Sequence, residues 1–272
     1  MKDESYGVTK QNLALSVAEQ HLEEISILGY SVIEGVLNET ELTETRSRLD
    51  AVYQMQVKEA QQNNYKLDEI KEQNVARMPF SYDPYFLNLL RDSSVIEYVK
   101  KVLGNYFILQ LQNGIINLPN EKHHQSSWHR DLPYQDFVIS KPISFNALYC
   151  IDEFSDKTGG TFVLPYSHRI ETIPSEQYIE KHGLQVHAPA GSVILMDSMV
   201  FHRAGYNSSN IIRRAINHVY VTGILKQQIN IPAMLKGKYA DDPFLKMLLG
   251  YEAAEADNVN DYRLRRAEKM KP

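Results

Sequence analysis

Apolar and polar positions divide the chain into two textures. Over the first hundred or so residues the apolar side chains follow a helical period, with one extended interruption. Residues 10 to 28 are expected to form a helix that stops at Gly29, and "YSVIEGVL" after it reads as a short strand. "NETELTETRSRLDAVYQMQVKEAQQ" then predicts a long amphipathic helix. Asn38 is its N-cap, and Glu41 completes a capping-box pattern. A further helix, "SVIEYVKKVLG", is expected to close on Gly104.

From residue 106 the texture changes to β-branched and aromatic runs parted by turn residues. "YFILQLQNGIINL", "KPISFNALYCID", "TFVLP", "LQVHA", "GSVILMD", "MVFHRAG" and "RRAINHVYVTGIL" are strand candidates. Short strands at roughly ten-residue spacing point to a sandwich or barrel. The expected architecture is mainly β. A helical layer (about 1–104) precedes the β core (about 105–225), and a helical C-terminal segment (about 230–272) follows it. No repeat or linker interrupts this plan, so residues 1–272 are read as one domain.

Composition narrows the function. With 272 residues, 43% apolar and 23% charged, the chain can bury a sizeable core. A net charge of −5 argues against the basic footprint that non-specific nucleic-acid binding needs. No run approaches the roughly 18 apolar residues of a membrane span. The start, "MKDESYGVTKQ", lacks the apolar segment of a secretion signal, so a cytoplasmic location is expected. The single cysteine, Cys150, excludes an intramolecular disulfide and sits in the apolar run "FNALYCI", where it reads as core.

The candidate chemistry lies in "SSWHRDLPYQDF". His129 and Asp131 are two apart, so on an extended strand they point the same way. Two histidines and one carboxylate on one face of a metal leave three positions open, and such ligands suit Fe(II). The absence of further cysteines disfavours structural zinc. His202, at the end of an apolar strand in "GSVILMDSMVFHRAG", is the candidate third ligand. Arg213 follows eleven residues later, sharing one strand face with Ala215, Asn217 and Val219, while Arg214, Ile216 and His218 share the other. An inward arginine is a buried cation that needs a partner, and a dicarboxylate would supply it in bidentate geometry.

These segments, "WHRD", "GGTFVLPYSHR" and "GSVILMDSMVFHRAGYNSS" with "RRAINHVY", resemble the phytanoyl-CoA dioxygenase family, and "LGYSVIEGVLNETEL" is similar to its opening segment. The resemblance implies a double-stranded β-helix (jelly-roll) fold. It also implies an oxygenase dependent on Fe(II), 2-oxoglutarate and dioxygen, with His129, Asp131 and His202 as iron ligands and Arg213 on the far carboxylate of 2-oxoglutarate. Two departures stand out. Tyr166 replaces a turn glycine, which suggests a reshaped loop. Ala147 replaces a tryptophan expected on the pocket floor, which suggests more room near the metal. The carboxylate of Asp131 favours hydroxylation or another oxidation over halogenation, because halogenating relatives carry a small residue there.

Gln112 and Thr161 are further candidates for holding 2-oxoglutarate. Asn117, Tyr134, Gln135 and Asn217 are candidates for the substrate, with Leu132 to Gln135 as a pocket rim. This polar set suggests a small polar metabolite, such as a sugar or natural-product intermediate. A non-catalytic jelly-roll binding protein and a zinc-dependent hydrolase are the alternatives. Of the remaining histidines, His168 is expected to support a loop, His123 and His124 to be solvated, and His187 and His218 to be strand residues. Trp128 is expected to pack outside the metal cavity.

Overall fold

The computed structural model describes residues 13–132 and 137–270. The first helix is Val17–Leu28, shorter than residues 10 to 28, of which 10–12 lie outside the described residues. Ser16 sets the start: its hydroxyl accepts from the Glu19 N–H while the Glu19 carboxylate accepts from the Ser16 N–H. The helix ends at Gly29, φ 91°, a left-handed conformation that a glycine adopts without steric cost. A Cβ there would also stand 2.4 Å from Val200 and 2.6 Å from His168, so the site tolerates no side chain. The long helix Glu39–Gln62 carries the expected capping box on Asn38 and Glu41. Ser93–Leu103 ends at Gly104 as expected.

Among the described residues, nine strands form two antiparallel sheets. They are β1 (Tyr30–Ile33), β2 (Val75–Arg77), β3 (Ile108–Asn117), β4 (Ser144–Cys150), β5 (Phe162–Val163), β6 (Leu184–Gln185), β7 (Val193–Asp197), β8 (His202–Arg203) and β9 (Arg213–Val221). The larger sheet runs β1-β7-β4-β9-β3-β2 and the smaller β6-β5-β8, which is a jelly roll. Two strands come from the expected helical layer. β1 pairs with β7, and β2, which the apolar pattern did not show, pairs with β3.

Alternation divides the larger sheet into two faces. Phe145, Ala147, Tyr149 and Leu195 face outward into a core shared with Leu49, Val52, Leu90 and Val99 of the helices. Leu148, Cys150, Ile194 and Met196 face inward against Val163 and Val186 of the smaller sheet. Cys150 is therefore core, and burial pushes its thiol far up. Fully burying Leu49 and Val52 contributes about 1.5–3 kcal/mol each. Gly114 makes the close approach possible, since a Cβ there would lie 2.2 Å from Leu49 Cδ1.

Ion pairs fix the long helix to the outer face of the sheet. Arg214 donates to both oxygens of Asp50 at 2.8 Å, and to Asp152 at 3.1 Å. Arg46 reaches Asp152 at 2.7 Å and the Ile151 carbonyl at 2.9 Å. These bonds place Arg214 outside and leave its neighbour Arg213 inside, as the strand period requires.

Candidate active site

His129 and His202 are joined through their backbones. Each N–H donates to the other's carbonyl at 2.9 Å, and the Asp131 N–H donates to the Ser198 carbonyl at 3.2 Å. The "HRD" segment is thus stitched to β8, which the larger sheet supports through the β7–β8 turn. Arg130, between the two candidate ligands, points away. Its guanidinium donates to the carbonyls of Met199, Ser167, Ile170 and Glu171 and lies over the Phe201 ring.

Each imidazole is oriented by a carbonyl two residues back. His129 Nδ1 lies 2.8 Å from the Ser127 oxygen, and His202 Nδ1 lies 3.0 Å from that of Val200. A carbonyl only accepts, so both Nδ1 atoms carry the proton and both Nε2 atoms offer a lone pair. These Nε2 atoms stand 3.8 Å and 3.6 Å from Asp131 Oδ1, and one ligand atom from each residue lies within 4.8 Å of the others. Ligand bonds of about 2.1 Å at right angles separate neighbouring donor atoms by about 3 Å, so a small closure suffices to hold an ion. The donor set is the one that suits Fe(II). Burial pushes the His129 imidazole down, with the neighbouring His202 adding to the effect. For Asp131 burial acts upward, but His202, His129 and Asn146 outweigh it and hold the carboxyl well below its usual range. Burial opposes the charged form of His202 too, yet Asp131 raises it on balance.

The same cavity contains Thr161, Asn217 and Arg213. Arg213 is 1% exposed, donates to the Gly159 carbonyl at 3.0 Å and lies over the Phe154 ring at 4.4 Å. Its Nε has no partner, and among the described residues no carboxylate pairs with it. Burial pushes the guanidinium down to about 10. A buried cation with so few protein partners is costly unless a counter-charge reaches it.

Other expected site residues are placed differently. Gln112 lies on the outward face of β3, where its amide accepts from the Phe80 N–H and donates to the Phe86 carbonyl and His218 Nε2. It does not reach the cavity, which Leu111, Asn113 and Ile115 line instead. Asn117 has the inward parity but is engaged with the Gly205 carbonyl and is not among the residues that line the cavity. Ala147 also faces outward, into the helix-packed core, so the missing tryptophan opens no room at the metal; Asn146 and Leu148 are the β4 residues that line the cavity. Tyr134 and Gln135 lie outside the described residues, and Leu132 is buried. Tyr166 adopts φ 65°, a left-handed backbone conformation that favours glycine. His123, expected in solvent, is 5% exposed, and burial together with His124 and Arg213 pushes it down to about 3. His168 is buried beside the Ser26 carbonyl, supporting its loop, and His218 faces opposite Arg213. Trp128 packs against Arg203.

The sequence reading missed three residues that act on Asp131. Asn146 donates to Asp131 Oδ2 and accepts from Ser198, whose hydroxyl lies 2.6 Å from that of Ser144. The period-two rule, applied to "SFNALYC", puts Ser144 and Asn146 on one face with Leu148 and Cys150, but which face lines the cavity follows only from the fold.

A jelly roll carrying such a cluster is the architecture of the 2-oxoglutarate-dependent, non-haem iron oxygenases. The chain belongs to the phytanoyl-CoA dioxygenase family (PhyH), whose family model matches residues 28–215. It is 33% identical over 253 residues to uncharacterized protein Mb1539 of Mycobacterium bovis and, equally, to uncharacterized protein Rv1501 of Mycobacterium tuberculosis, covering 90% of each chain. It is 22% identical to a probable phytanoyl-CoA dioxygenase of Caenorhabditis elegans, over 86% of this chain and 84% of that one. The fold is similar to the epimerase SnoN, solved with Fe3+, alpha ketoglutarate and nogalamycin RO (TM-score 0.58, 14% identity, 76% of this chain and 84% of SnoN). It is also similar to HygX of Streptomyces hygroscopicus, solved with nickel and 2-oxoglutarate (TM-score 0.57, 15% identity, 78% of this chain and 90% of HygX). Another HygX structure contains hygromycin B as well.

Proposed function

We propose that the protein is an Fe(II)- and 2-oxoglutarate-dependent dioxygenase that hydroxylates an unactivated C–H bond of a small polar molecule, with release of succinate and carbon dioxide. Arg213 carries this reading: a buried guanidinium without a carboxylate partner among the described residues, in the cavity that also contains His129, Asp131 and His202. Those three residues would hold iron, which supplies dioxygen activation coupled to decarboxylation of 2-oxoglutarate. Arg213 would anchor the far carboxylate of 2-oxoglutarate in the bidentate geometry a guanidinium offers. The Thr161 side chain, 6% exposed on the cavity wall, would add a hydroxyl donor.

The presence of Asp131 favours hydroxylation, because the carboxylate occupies the position a halide needs in the halogenating relatives. The cavity supports a polar substrate. Asn113, Gln125 and Asn217 bring amides to its wall, and Asn217 Oδ1 has no partner among the described residues. Complexes of HygX and SnoN with hygromycin B and nogalamycin RO lend support to polar natural-product substrates. Anaerobic addition of Fe(II) and 2-oxoglutarate tests the reading. A weak visible charge-transfer band is expected, and its loss in His202→Ala. Absence of the band together with tightly retained zinc and hydrolytic activity overturns it.

A further inference from the structure

The two oxygens of Asp131 have different surroundings. Oδ1 faces both histidine Nε2 atoms, at 3.8 Å and 3.6 Å. Oδ2 accepts from the amide of Asn146 and, at 3.1 Å, from the amide of Asn217. An ionised carboxylate has about two lone-pair sites per oxygen, so two N–H donors saturate Oδ2. Asn146 is itself held, because its Oδ1 accepts from the Ser198 hydroxyl. A hydroxyl has one proton, so Ser198, having given its own to Asn146, accepts from Ser144 at 2.6 Å. Ser198 also takes the Asp131 N–H on its carbonyl. The chain Ser144, Ser198, Asn146, Asp131 therefore has one direction, and its first three members are at most 1% exposed.

We propose that this chain, together with Asn217, makes Asp131 a single-oxygen ligand, offering Oδ1 to the metal and withholding Oδ2. The proposal rests on the iron reading above and extends it to two positioning residues, Asn146 and Asn217. Its consequence is arithmetical. Three protein donor atoms on an octahedral ion leave three positions, enough for a two-atom chelate and one further ligand. A carboxylate free to turn would engage through both oxygens and take one of them. The carboxylate also gains orientation without added charge, since both donors are neutral amides.

Co(II) binding to the full-length, metal-free protein tests this without turnover. Asn217→Ala and Asn146→Leu are expected to weaken Co(II) affinity by roughly 10–100-fold, the range seen when hydrogen-bond partners of a ligand are removed. The visible Co(II) spectrum is expected to change with the freed oxygen, and 2-oxoglutarate to perturb it less than in the unaltered protein. Because Asn146 is fully buried and its replacement risks misfolding, Asn217→Ala, at a half-buried position, decides; its metal-free melting temperature should match that of the unaltered protein. Wild-type Co(II) affinity and spectrum in Asn217→Ala overturn the proposal and leave the iron reading standing. If the unaltered protein takes up no Co(II), the iron reading itself fails, and this proposal with it.

Discussion

Replacing Arg213 by glutamine removes a charge the fold carries at a cost. Burial moves the guanidinium from its usual 12.5 to about 10. At 1.36 kcal/mol per pH unit this is about 3 kcal/mol against the charged form. The sign follows from the direction. The folded value is the lower one, so the penalty is fully present below about pH 10 and fades as pH rises from there toward 12.5. A carboxylate arriving beside Arg213 relieves that penalty, and the relief appears as affinity. Arg213→Gln should therefore weaken 2-oxoglutarate binding to the metal-loaded, anaerobic protein by roughly two orders of magnitude, measured by calorimetry. Unliganded stability should shift by only about 1–2 kcal/mol. The removed penalty offsets the lost bond to the Gly159 carbonyl and the lost contact with Phe154. A dissociation constant within tenfold of the unaltered protein refutes the argument. So does an unliganded variant destabilised by more than about 4 kcal/mol, which would make Arg213 a structural residue.

Gly29→Ala should cost about 2–5 kcal/mol in denaturant unfolding, from the left-handed backbone and the contacts with Val200 and His168; a cost under about 0.5 kcal/mol would contradict the close approach. Tyr166→Gly should stabilise by about 1 kcal/mol, read as a small rise in melting temperature, because Tyr166 occupies φ 65° with its ring exposed. Burial pushes His218 down to about 3, so its contribution is intact above pH 6.5 and is lost as pH falls from 6.5 toward 3, about 2 kcal/mol by pH 5. His218→Phe should flatten that part of the stability-versus-pH curve, and an unchanged slope would count against a buried neutral imidazole. Chelation should lower the melting temperature of protein held in free metal at about one hundred times the dissociation constant by the equivalent of about 2.7 kcal/mol, measured with and without EDTA.

Much of this was legible from periodicity and capping chemistry. Asn38 and Glu41 announce their helix locally, since a capping box needs only residues three apart. The alternation of "RRAINHVY" put Arg213 inside and Arg214 outside. The same rule, carried one strand over, would have turned Gln112 and Ala147 outward and Asn113 and Asn146 inward. The polar side chain of Gln112 and the resemblance at Ala147 carry no information on strand parity. β2 was hidden because three residues are too few to show a period and its stability comes from pairing with β3. The burial of His123, near Asn74 and Arg213, and the relay through Ser198 depend on contacts between distant segments, which no local pattern encodes.

The consecutive arginines of β9 tie the surface helix to the chemistry in a way neither shows alone. A strand has two readings that differ by one residue, and on β9 the wrong one would send Arg214 into the cavity and Arg213 to the helix. Asp50 and Asp152 favour one of those readings from outside, because only Arg214 can satisfy both. The helix Glu39–Gln62 thus works as a reading frame for the cavity. Loosening it by Asp50→Ala would disturb Arg213 and the cavity on the far side of a sheet one residue thick, without touching a single group that lines it.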